Sequence, residues 1–507
     1  MTCMRNPLKI LLLLVAVLLP GTASAHVGSA DIYFEGNAGP YPLFVTVRLP
    51  QVVPGVAELQ VRSGSPDVHT IKVVLLRLTG PGSNLPSTPD VAQRSKQDPQ
   101  FFVSDLWFLE YGALQARIEA DGSKGKAELS VPIASFPRQA PTMSPWLRGL
   151  GLFVLIGLTL GVVPVAGGMA RECTVPPGEA PQASHRRYGR IVMAVTLIAT
   201  AGILYGNKAL WNEEAAVYDR NVDLLKPRRV EATLQDGNRL VLRLASPLLL
   251  PLAGKGREAV EMKMEEVIPD HGHLMHLFLV GMPGMGRVWH LHPERLQGGA
   301  FAKTLPSMPA GQYQIFADIV DKNGFPWTLV GDVKLPQITG TAVAGDDSQW
   351  EGSGMSPPFS EATVAQLPDG GRVVWERGGG PLKANVPTSF KFRVEEQDGS
   401  PARDLEPYMG MAAHMVVVRS DLSVFAHVHT NGSVPMAALD LAQAGLAAGS
   451  SAGTSGAAPA MAHHHHAALP PRFSIPYGVS LPGDYRFFIQ IKRSGRVQTA
   501  AFDTHVQ

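Results

Sequence analysis

The chain has 507 residues, which is too long for a single ordinary core and predicts about three domains. Its 44 Lys and Arg residues nearly balance its 43 Asp and Glu residues, so the charge pattern does not indicate nucleic-acid binding. The 52 Gly and 42 Pro residues favour many short strands and turns.

The N-terminus has the pattern of a secretory signal peptide, predicted over residues 1–25. Two basic residues precede an apolar run at 10–19, and Ala23-Ser24-Ala25 fits a small-residue cleavage site. Cleavage there would make His26 the first residue of the mature chain. A terminal His offers its α-amine and a ring nitrogen to one copper ion, so His26 is a separate candidate ligand, for which His69 is the available partner in the same domain.

Residues 26–140 are predicted to form a β-sandwich domain. Runs of alternating apolar and polar residues, such as 43–48 and 57–62, are separated by Pro and Gly turn signals. Residues 112–133 have the pattern of two strands joined by a Gly turn. This hairpin is expected to close the domain.

Two apolar segments follow, and each is long enough to cross the ~30 Å hydrocarbon layer of a membrane. They span 149–170 and 191–211 and predict a transmembrane helix hairpin within 146–211. The loop at 171–190 carries four arginines, which by the positive-inside rule places it in the cytoplasm. Both large flanking parts are then expected in the periplasm of a bacterium, anchored to the inner membrane.

Two more β-sandwich domains are predicted at 218–337 and 362–507, joined by a Gly-, Ser- and Pro-rich linker at 338–361. Each contains a strand that begins Gly-x-Tyr, with the tyrosine at Tyr313 and Tyr485. This placement fits the tyrosine corner of Greek-key sandwiches, in which the hydroxyl bonds back to the backbone. The predicted fold class is therefore mainly β, with three immunoglobulin-like or Greek-key β-sandwiches plus a two-helix transmembrane hairpin.

An insertion at 431–471 distinguishes the third domain from the second. It is rich in Ala, Gly and Ser, which predicts a mobile loop, and it carries Met461 and a run of four histidines at 463–466. Two interpretations of that run stay open. The histidines raise the local metal concentration, or they bind metal weakly or not at all.

Histidines are concentrated in residues 270–294, which predict a single β-hairpin. A related segment recurs at 409–430, and the two align so that three pairs of histidines match. Because strand residues alternate between faces, each hairpin is expected to bring three imidazoles to one face. The predicted ligands are His276, His290 and His292 in one hairpin and His414, His427 and His429 in the other.

The register of the first hairpin depends on the length of its turn. An odd number of loop residues brings His276 to His290 and His292, whereas an even number brings His273 and Met275 instead. The internal repeat favours His276. The additional candidate ligands are His271, His273, Met275 and Met411.

The donor set favours copper as the metal, with zinc as the second choice. Neutral imidazoles bind copper, zinc and nickel, and thioether sulfur adds a preference for Cu(I). Of the two cysteines, Cys3 leaves with the signal and Cys173 lies between the apolar segments, which excludes a disulfide in the exported domains, a blue-copper site and a cysteine zinc site.

The last ~290 residues resemble the small periplasmic immunoglobulin-like domains called YtkA-like or FixH-like. The six matched histidines, with their H-x-H patterns, and the closing G-x-Y strands carry this resemblance. It implies copper handling, with a copper transporter, an oxidase-assembly factor or another envelope protein as partner. The departures are the large insertion after His429 and Met411, which stands where the second domain has His273.

The sequence thus predicts a membrane-anchored periplasmic protein that captures and transfers copper. One alternative is an envelope assembly factor without a metal role, in which the histidines pack or sense pH. Another is a cupin-like metalloenzyme, suggested by His290-Leu291-His292 followed by Glu294. The second cupin motif is missing, because Pro309-Ala310-Gly311 is not followed by histidine, so no catalytic residues are predicted.

Overall fold

A computed structural model describes residues 26–27, 31–84, 88–139, 143–224, 226–251, 259–355, 362–450 and 469–507. The described part is mainly β, with 45% of its residues in strands and 19% in helices. The described part contains three α-helices: α1 Pro145–Glu172, α2 Ala183–Leu224 and α3 Met436–Ser450. The predicted signal peptide lies outside the described residues.

The first β unit, residues 31–135, consists of two sheets that face each other. Their strand orders are β2-β3-β4-β8-β7 and β10-β9-β5-β6. Val45 and Leu59 of the first sheet meet Ile71, Ile118 and Val131 of the second in a buried core. The strands are β2 Ile32–Ala38, β3 Tyr41–Arg48, β4 Gly55–Ser63, β5 Val68–Arg77, β6 Asp90–Val91, β7 Gln93–Arg94, β8 Phe101–Phe108, β9 Gly112–Gly122 and β10 Gly125–Ser135.

Helices α1 and α2 are both long and apolar enough to cross a membrane. Gly167 allows them to approach closely, because a side chain there would overlap Met193. Large apolar side chains such as Phe153 and Ile198 point outward and are exposed. Such a surface fits contact with lipid.

The helices extend beyond the predicted apolar spans. α2 continues through residues 212–224, so the predicted start of the second sandwich at residue 218 is wrong, and the interhelical loop is shorter than 171–190. Hydropathy marks the apolar part of a helix only. The polar extension includes Glu213, Glu214, Ala215 and Ala216, which are good helix formers.

The second β unit, residues 230–351, has the predicted hairpin across Asp236 and Gly237, both with positive φ. Its main sheet has the order β15-β20-β16-β17-β22, with β21 beside β20, and it faces the sheet β11-β12-β19-β18. The strands are β11 Val230–Gln235, β12 Arg239–Leu244, β13 Leu248–Pro251, β14 Ala259–Met262, β15 Val267–Ile268, β16 His276–Met282, β17 Arg287–Leu291, β18 Glu294–Arg295, β19 Phe301–Thr304, β20 Gly311–Asp321, β21 Pro326–Leu335 and β22 Ser348–Glu351; a 3-10 helix spans Met264–Glu266.

The interpretation of residues 338–361 as a linker is wrong in its middle part. Residues 348–351 form β22, which pairs with β17 along Arg287↔Glu351 to His290↔Ser348. Their polar sequence carries little strand signal. Pairing with an otherwise open edge of the sheet supplies the hydrogen bonds that their composition does not predict.

The third β unit, residues 364–506, repeats the two-sheet plan. Its sheets have the orders β23-β24-β25-β29 and β1-β28-β27-β30-β26, with β31 beside β30. The first strand of the chain, β1 His26–Val27, therefore belongs to this unit and not to the N-terminal one. The other strands are β23 Val364–Gln366, β24 Arg372–Trp375, β25 Thr388–Glu395, β26 Leu405–Glu406, β27 His414–Arg419, β28 Val424–His429, β29 Arg472–Tyr477, β30 Gly483–Arg493 and β31 Arg496–Val506.

Both Gly-x-Tyr strands have the expected tyrosine geometry. The Tyr313 hydroxyl donates to the Pro309 carbonyl at 2.6 Å, and the Tyr485 hydroxyl donates to the Leu481 carbonyl at 2.7 Å. In each case the acceptor lies four residues upstream. The second and third units thus share this tyrosine hydrogen bond as well as a two-sheet arrangement of strands.

The insertion at 431–471 is not a loop throughout, which corrects the prediction. Its residues 436–450 form α3, and Ala438, Leu439 and Ala442 pack against the first β unit. Small residues suggested a loop, but alanine and leucine also have high helix propensity, and the first β unit covers the apolar face. Met461 and His463–His466 lie outside the described residues.

The second and third units pack their main sheets face to face, and we call this contact the seam. Leu277 and Met415 point into the separate cores of their units, whereas their neighbours point into the seam. Phe316 and Phe425 stack across it with ring centroids 4.2 Å apart. Toward one end of the seam the apolar side chains give way to histidines.

Candidate metal centre

The first histidine hairpin has the odd-loop register. Leu277 lies opposite Leu291 and Phe278 opposite His290, which puts His276, His290 and His292 on the seam face. One ligand atom from each lies within 4.8 Å of the others. We call these three buried residues triad one.

The second hairpin also directs its predicted histidines into the seam. His414 lies opposite His429, and Val416 lies opposite His427. The compact group of donors is nevertheless not the predicted one. His414 and His429 combine with His271 of the second unit, again with ligand atoms within 4.8 Å of one another, and we call this set triad two.

His427 lies between the triads instead of completing one. Its ring centroid is 5.3 Å from that of His276, 5.4 Å from His290, 5.3 Å from His414 and 4.7 Å from His429. The prediction considered each hairpin by itself. Once the hairpins face each other, a histidine from the opposite unit is closer to His414 and His429.

His271 reaches triad two from a tight turn. Asp270 and His273 bond to each other through their backbones, and His271 and Gly272 both have positive φ, a conformation that glycine adopts at little cost. The His271 Nδ1 atom lies 2.7 Å from the Met409 carbonyl oxygen of the third unit. The same turn recurs at residues 408–411, so the repeat includes the loops.

The remaining predicted candidates have different environments. His273 stacks on His292 at 3.8 Å between centroids, and its Nε2 lies 3.3 Å from an Asp346 oxygen. Met275 is buried in the core of the second unit, so its proposed role as a ligand is wrong: in this register its side chain points away from the seam. The Met411 sulfur accepts a hydrogen bond from the Thr430 hydroxyl.

The backbone of His26 pairs with that of Val424 in β28. His69, its expected partner, lies exposed in β5 of the first β unit. The two residues thus belong to different sheets. The start of the chain instead runs beside the second histidine hairpin.

Several ring nitrogens of the cluster have no hydrogen-bond partner among the residues that the structure describes. They are Nε2 of His271, His292, His427 and His429 and both ring nitrogens of His414. Buried polar atoms without partners are rare, because each loses its bonds to water. Nitrogens aimed into a shared space are what a metal ion requires.

Most of the other ring nitrogens are held by acceptors that orient the imidazoles. The Asp347 carboxylate lies 3.0 Å from His292 Nδ1, the Gln490 amide oxygen 2.9 Å from His290 Nδ1, and the Val434 carbonyl 3.1 Å from His429 Nδ1. Such partners fix the ring, and in His292 and His429 they leave the opposite nitrogen for a metal. In His290 the opposite nitrogen, Nε2, lies 3.1 Å from His276 Nδ1. Sequence reasoning missed Asp346 and Asp347, although two adjacent acids in a predicted linker were visible.

Burial keeps the imidazoles neutral. Desolvation lowers the pKa of His276 and of His429 to about 3, and it lowers the pKa of His290, His414 and His427 well below the usual value. Neighbouring imidazoles add to the effect, because two positive charges would repel. Neutral imidazole is the form that binds metal.

A further carboxyl group, that of Asp318, adjoins the cluster at His427. Burial raises the pKa of Asp318 to about 7, against the opposing effect of a hydrogen bond from Thr328. Its Oδ2 atom lies 3.7 Å from His427 Nδ1. The site therefore combines eight imidazoles with a carboxyl group that changes charge near neutral pH.

Comparisons with known proteins do not identify the site. Residues 363–507 match a family model described as a domain of unknown function (DUF8832). No curated protein matches the chain.

Similar solved structures include dimeric latent PorU from Porphyromonas gingivalis, with 10% identity, 94% of this chain and 34% of that chain covered, and a TM-score of 0.14. The FN1–FN3 domains of chicken CNTN1 match with 7% identity over 93% and 98% of the two chains, at a TM-score of 0.14. SGBP-B from the mixed-linkage glucan utilization locus of Bacteroides ovatus matches with 8% identity. The match covers 97% of this chain and 68% of that chain, with a TM-score of 0.13. The chain spans about a third of the length of PorU.

The metal-free protein should lose stability in acid. The pKa of His429 is about 3 in the folded state and ~6.5 when unfolded, so below pH 6.5 the unfolded chain binds more protons. Between pH 7 and pH 5 this one imidazole removes roughly 2 kcal/mol from the free energy of unfolding. In the presence of chelator, His429→Gln should flatten the dependence of melting temperature on pH, whereas His69→Gln at an exposed site should not. Parallel curves for wild type and His429→Gln would contradict the account.

Proposed function

We propose that this protein binds copper at the seam between two periplasmic immunoglobulin-like domains and passes it to an envelope partner. The observation that carries the proposal is the convergence of two histidine triads. His292 in triad one and all three residues of triad two keep at least one ring nitrogen without a partner among the described residues. Residues of both units supply these nitrogens, and the low pKa values of His276 and His429 leave those two imidazoles neutral at physiological pH. These imidazole donors are suited to binding a metal ion, and no nucleophile is among them.

Copper is the metal that this donor set favours. For a given nitrogen site, divalent affinities rise to a maximum at Cu(II) and fall again at Zn(II). Zinc remains the competitor to test, because a three-histidine site also suits it. Met411, close in sequence to His414, offers sulfur for Cu(I), while Met275 lies in the core and offers none.

We propose further that residues 1–25 direct export and that α1 and α2 anchor the protein in the inner membrane. The arginine-rich segment between the helices would then be cytoplasmic, and the three β units, as immunoglobulin-like sandwiches, would be periplasmic. Two exposed apolar helices and the resemblance to YtkA-like or FixH-like domains support this arrangement. A copper transporter or an oxidase-assembly factor is the partner that it suggests.

Copper titration of the full-length protein in detergent tests the function. With residues 463–466 changed to Ser to remove their background, about two equivalents of Cu(II) should bind tightly in competition with a chelator. His290→Gln with His292→Gln should remove about one equivalent, and His414→Gln with His429→Gln should remove the other.

The matched control is His69→Gln with His505→Gln, which removes two exposed histidines and should leave the stoichiometry unchanged. Zinc added in equal amount should displace little copper. Absence of binding in the parent protein would refute the copper proposal. The envelope assembly factor without a metal role would then be the better account.

The natural cysteine Cys173, exposed just after α1, tests the topology. A membrane-impermeant maleimide should label it in lysed cells but not in intact spheroplasts, because the loop faces the cytoplasm. In a Cys173→Ser background, Lys383→Cys on the third unit should react in intact spheroplasts. The reverse pattern would exclude the proposed orientation.

A further inference from the structure

The two histidine triads are neighbours across the seam. The ring of His276 in triad one lies 6.1 Å from that of His271 in triad two. His427 is 5.3 Å from both His276 and His414, so it contacts each triad. The imidazoles of both triads and of His427 therefore form one continuous layer.

His427 is placed to serve an ion in either triad. Its Nδ1 atom faces Asp318 at 3.7 Å, while its Nε2 atom is buried and has no partner among the described residues. A triad supplies three protein ligands and leaves at least one coordination position open. A fourth imidazole nitrogen nearby is the natural donor for that position.

We propose that the two triads and His427 form a single two-copper centre, in which His427 supplies a further nitrogen and the two Cu(II) ions are magnetically coupled. This deepens the proposed function and rests on it. Because triad two draws His271 from one unit and His414 and His429 from the other, the centre also cross-links the two units.

Electron paramagnetic resonance of the Cu(II)-loaded full-length protein, with residues 463–466 changed to Ser, tests the centre. At saturation the integrated signal should fall well below the amount of bound copper, and a half-field transition should mark a coupled pair. His290→Gln with His292→Gln should leave one ion with its full integrated signal. His427→Gln should keep two ions but weaken the binding of at least one about tenfold.

The outcomes separate this inference from the proposed function. Two bound ions whose integrated signal equals the bound copper would overturn the coupled centre and leave copper binding intact. A single ion that needs both triads would also overturn it. A titration and spectrum of His427→Gln identical to wild type would remove His427 from the centre. Absence of bound copper would refute the proposed function itself.

A second, independent observation concerns access to the centre. A cavity of about 190 Å³ lies where the three β units meet, and its inner end is lined by His276, His427 and His429. Its outer end is lined by Val222 and Lys226 at the foot of α2. The carboxyl groups of Asp270 and Asp318 also line it. These histidines are buried, so an ion needs such a passage to reach them.

We infer that copper reaches the histidines through this cavity, from the end lined by Val222 and Lys226 at the C-terminus of α2. Lys226 at the mouth pairs with Asp223 at 2.6 Å. Replacing the lysine with glutamate should therefore leave two acidic groups there, which attract an arriving cation. Lys226→Glu should therefore speed copper uptake by about threefold or more at low salt, and added salt should abolish the difference. Stopped-flow quenching of tryptophan fluorescence measures the rate in the full-length protein.

Lys383→Glu is the matched control, since it makes the same charge change on an exposed residue that does not line the cavity. Equal rates for the two variants would overturn the assigned route. Faster uptake in Lys226→Glu alone, with unchanged stoichiometry, would support it. A wild-type protein that takes up no copper would refute the proposed function instead.

Discussion

The burial of the six hairpin imidazoles between two packed sheets is the constraint on which the rest of this structure depends. A buried imidazolium is costly, so the rings stay neutral, and each polar nitrogen left without a partner costs about 1–3 kcal/mol. The remainder of the seam must offset this. Stacked rings of Phe316 and Phe425 contribute, as does Arg486, which donates to the carbonyls of Met285 and Ser353 on the opposite unit. Metal coordination would satisfy the remaining nitrogens.

The same cluster links parts of the chain that are distant in sequence. The Asp270 carbonyl oxygen lies 3.1 Å from His276 Nε2, and its carboxylate accepts a hydrogen bond from the Ala437 amide at 2.7 Å, at the start of α3. α3 in turn packs on the first β unit. A short turn beside the histidines thereby joins all three units.

Sequence patterns predicted the local geometry well wherever it depends on alternation along a strand. The internal repeat indicated the registers of both hairpins and the tyrosine bonds of Tyr313 and Tyr485, because each depends on residues close in sequence. Composition predicted secondary structure less well for segments that are stabilised by contacts with distant parts of the chain. Residues 348–351 look like linker but complete a sheet edge, and residues 436–450 look like loop but form a helix on another unit.

The sequence by itself determined that each hairpin carries three of the six matched histidines on one face, because strand residues alternate and the repeat specifies the register. It also determined the two apolar helices, through length and composition. Only the tertiary structure decided that the two faces meet, that His271 replaces His427 in one triad, that Met275 lies in a core, and that Asp347 orients His292. These depend on the packing of whole sheets, and face-to-face packing brings together residues whose separation along the chain carries no local signal.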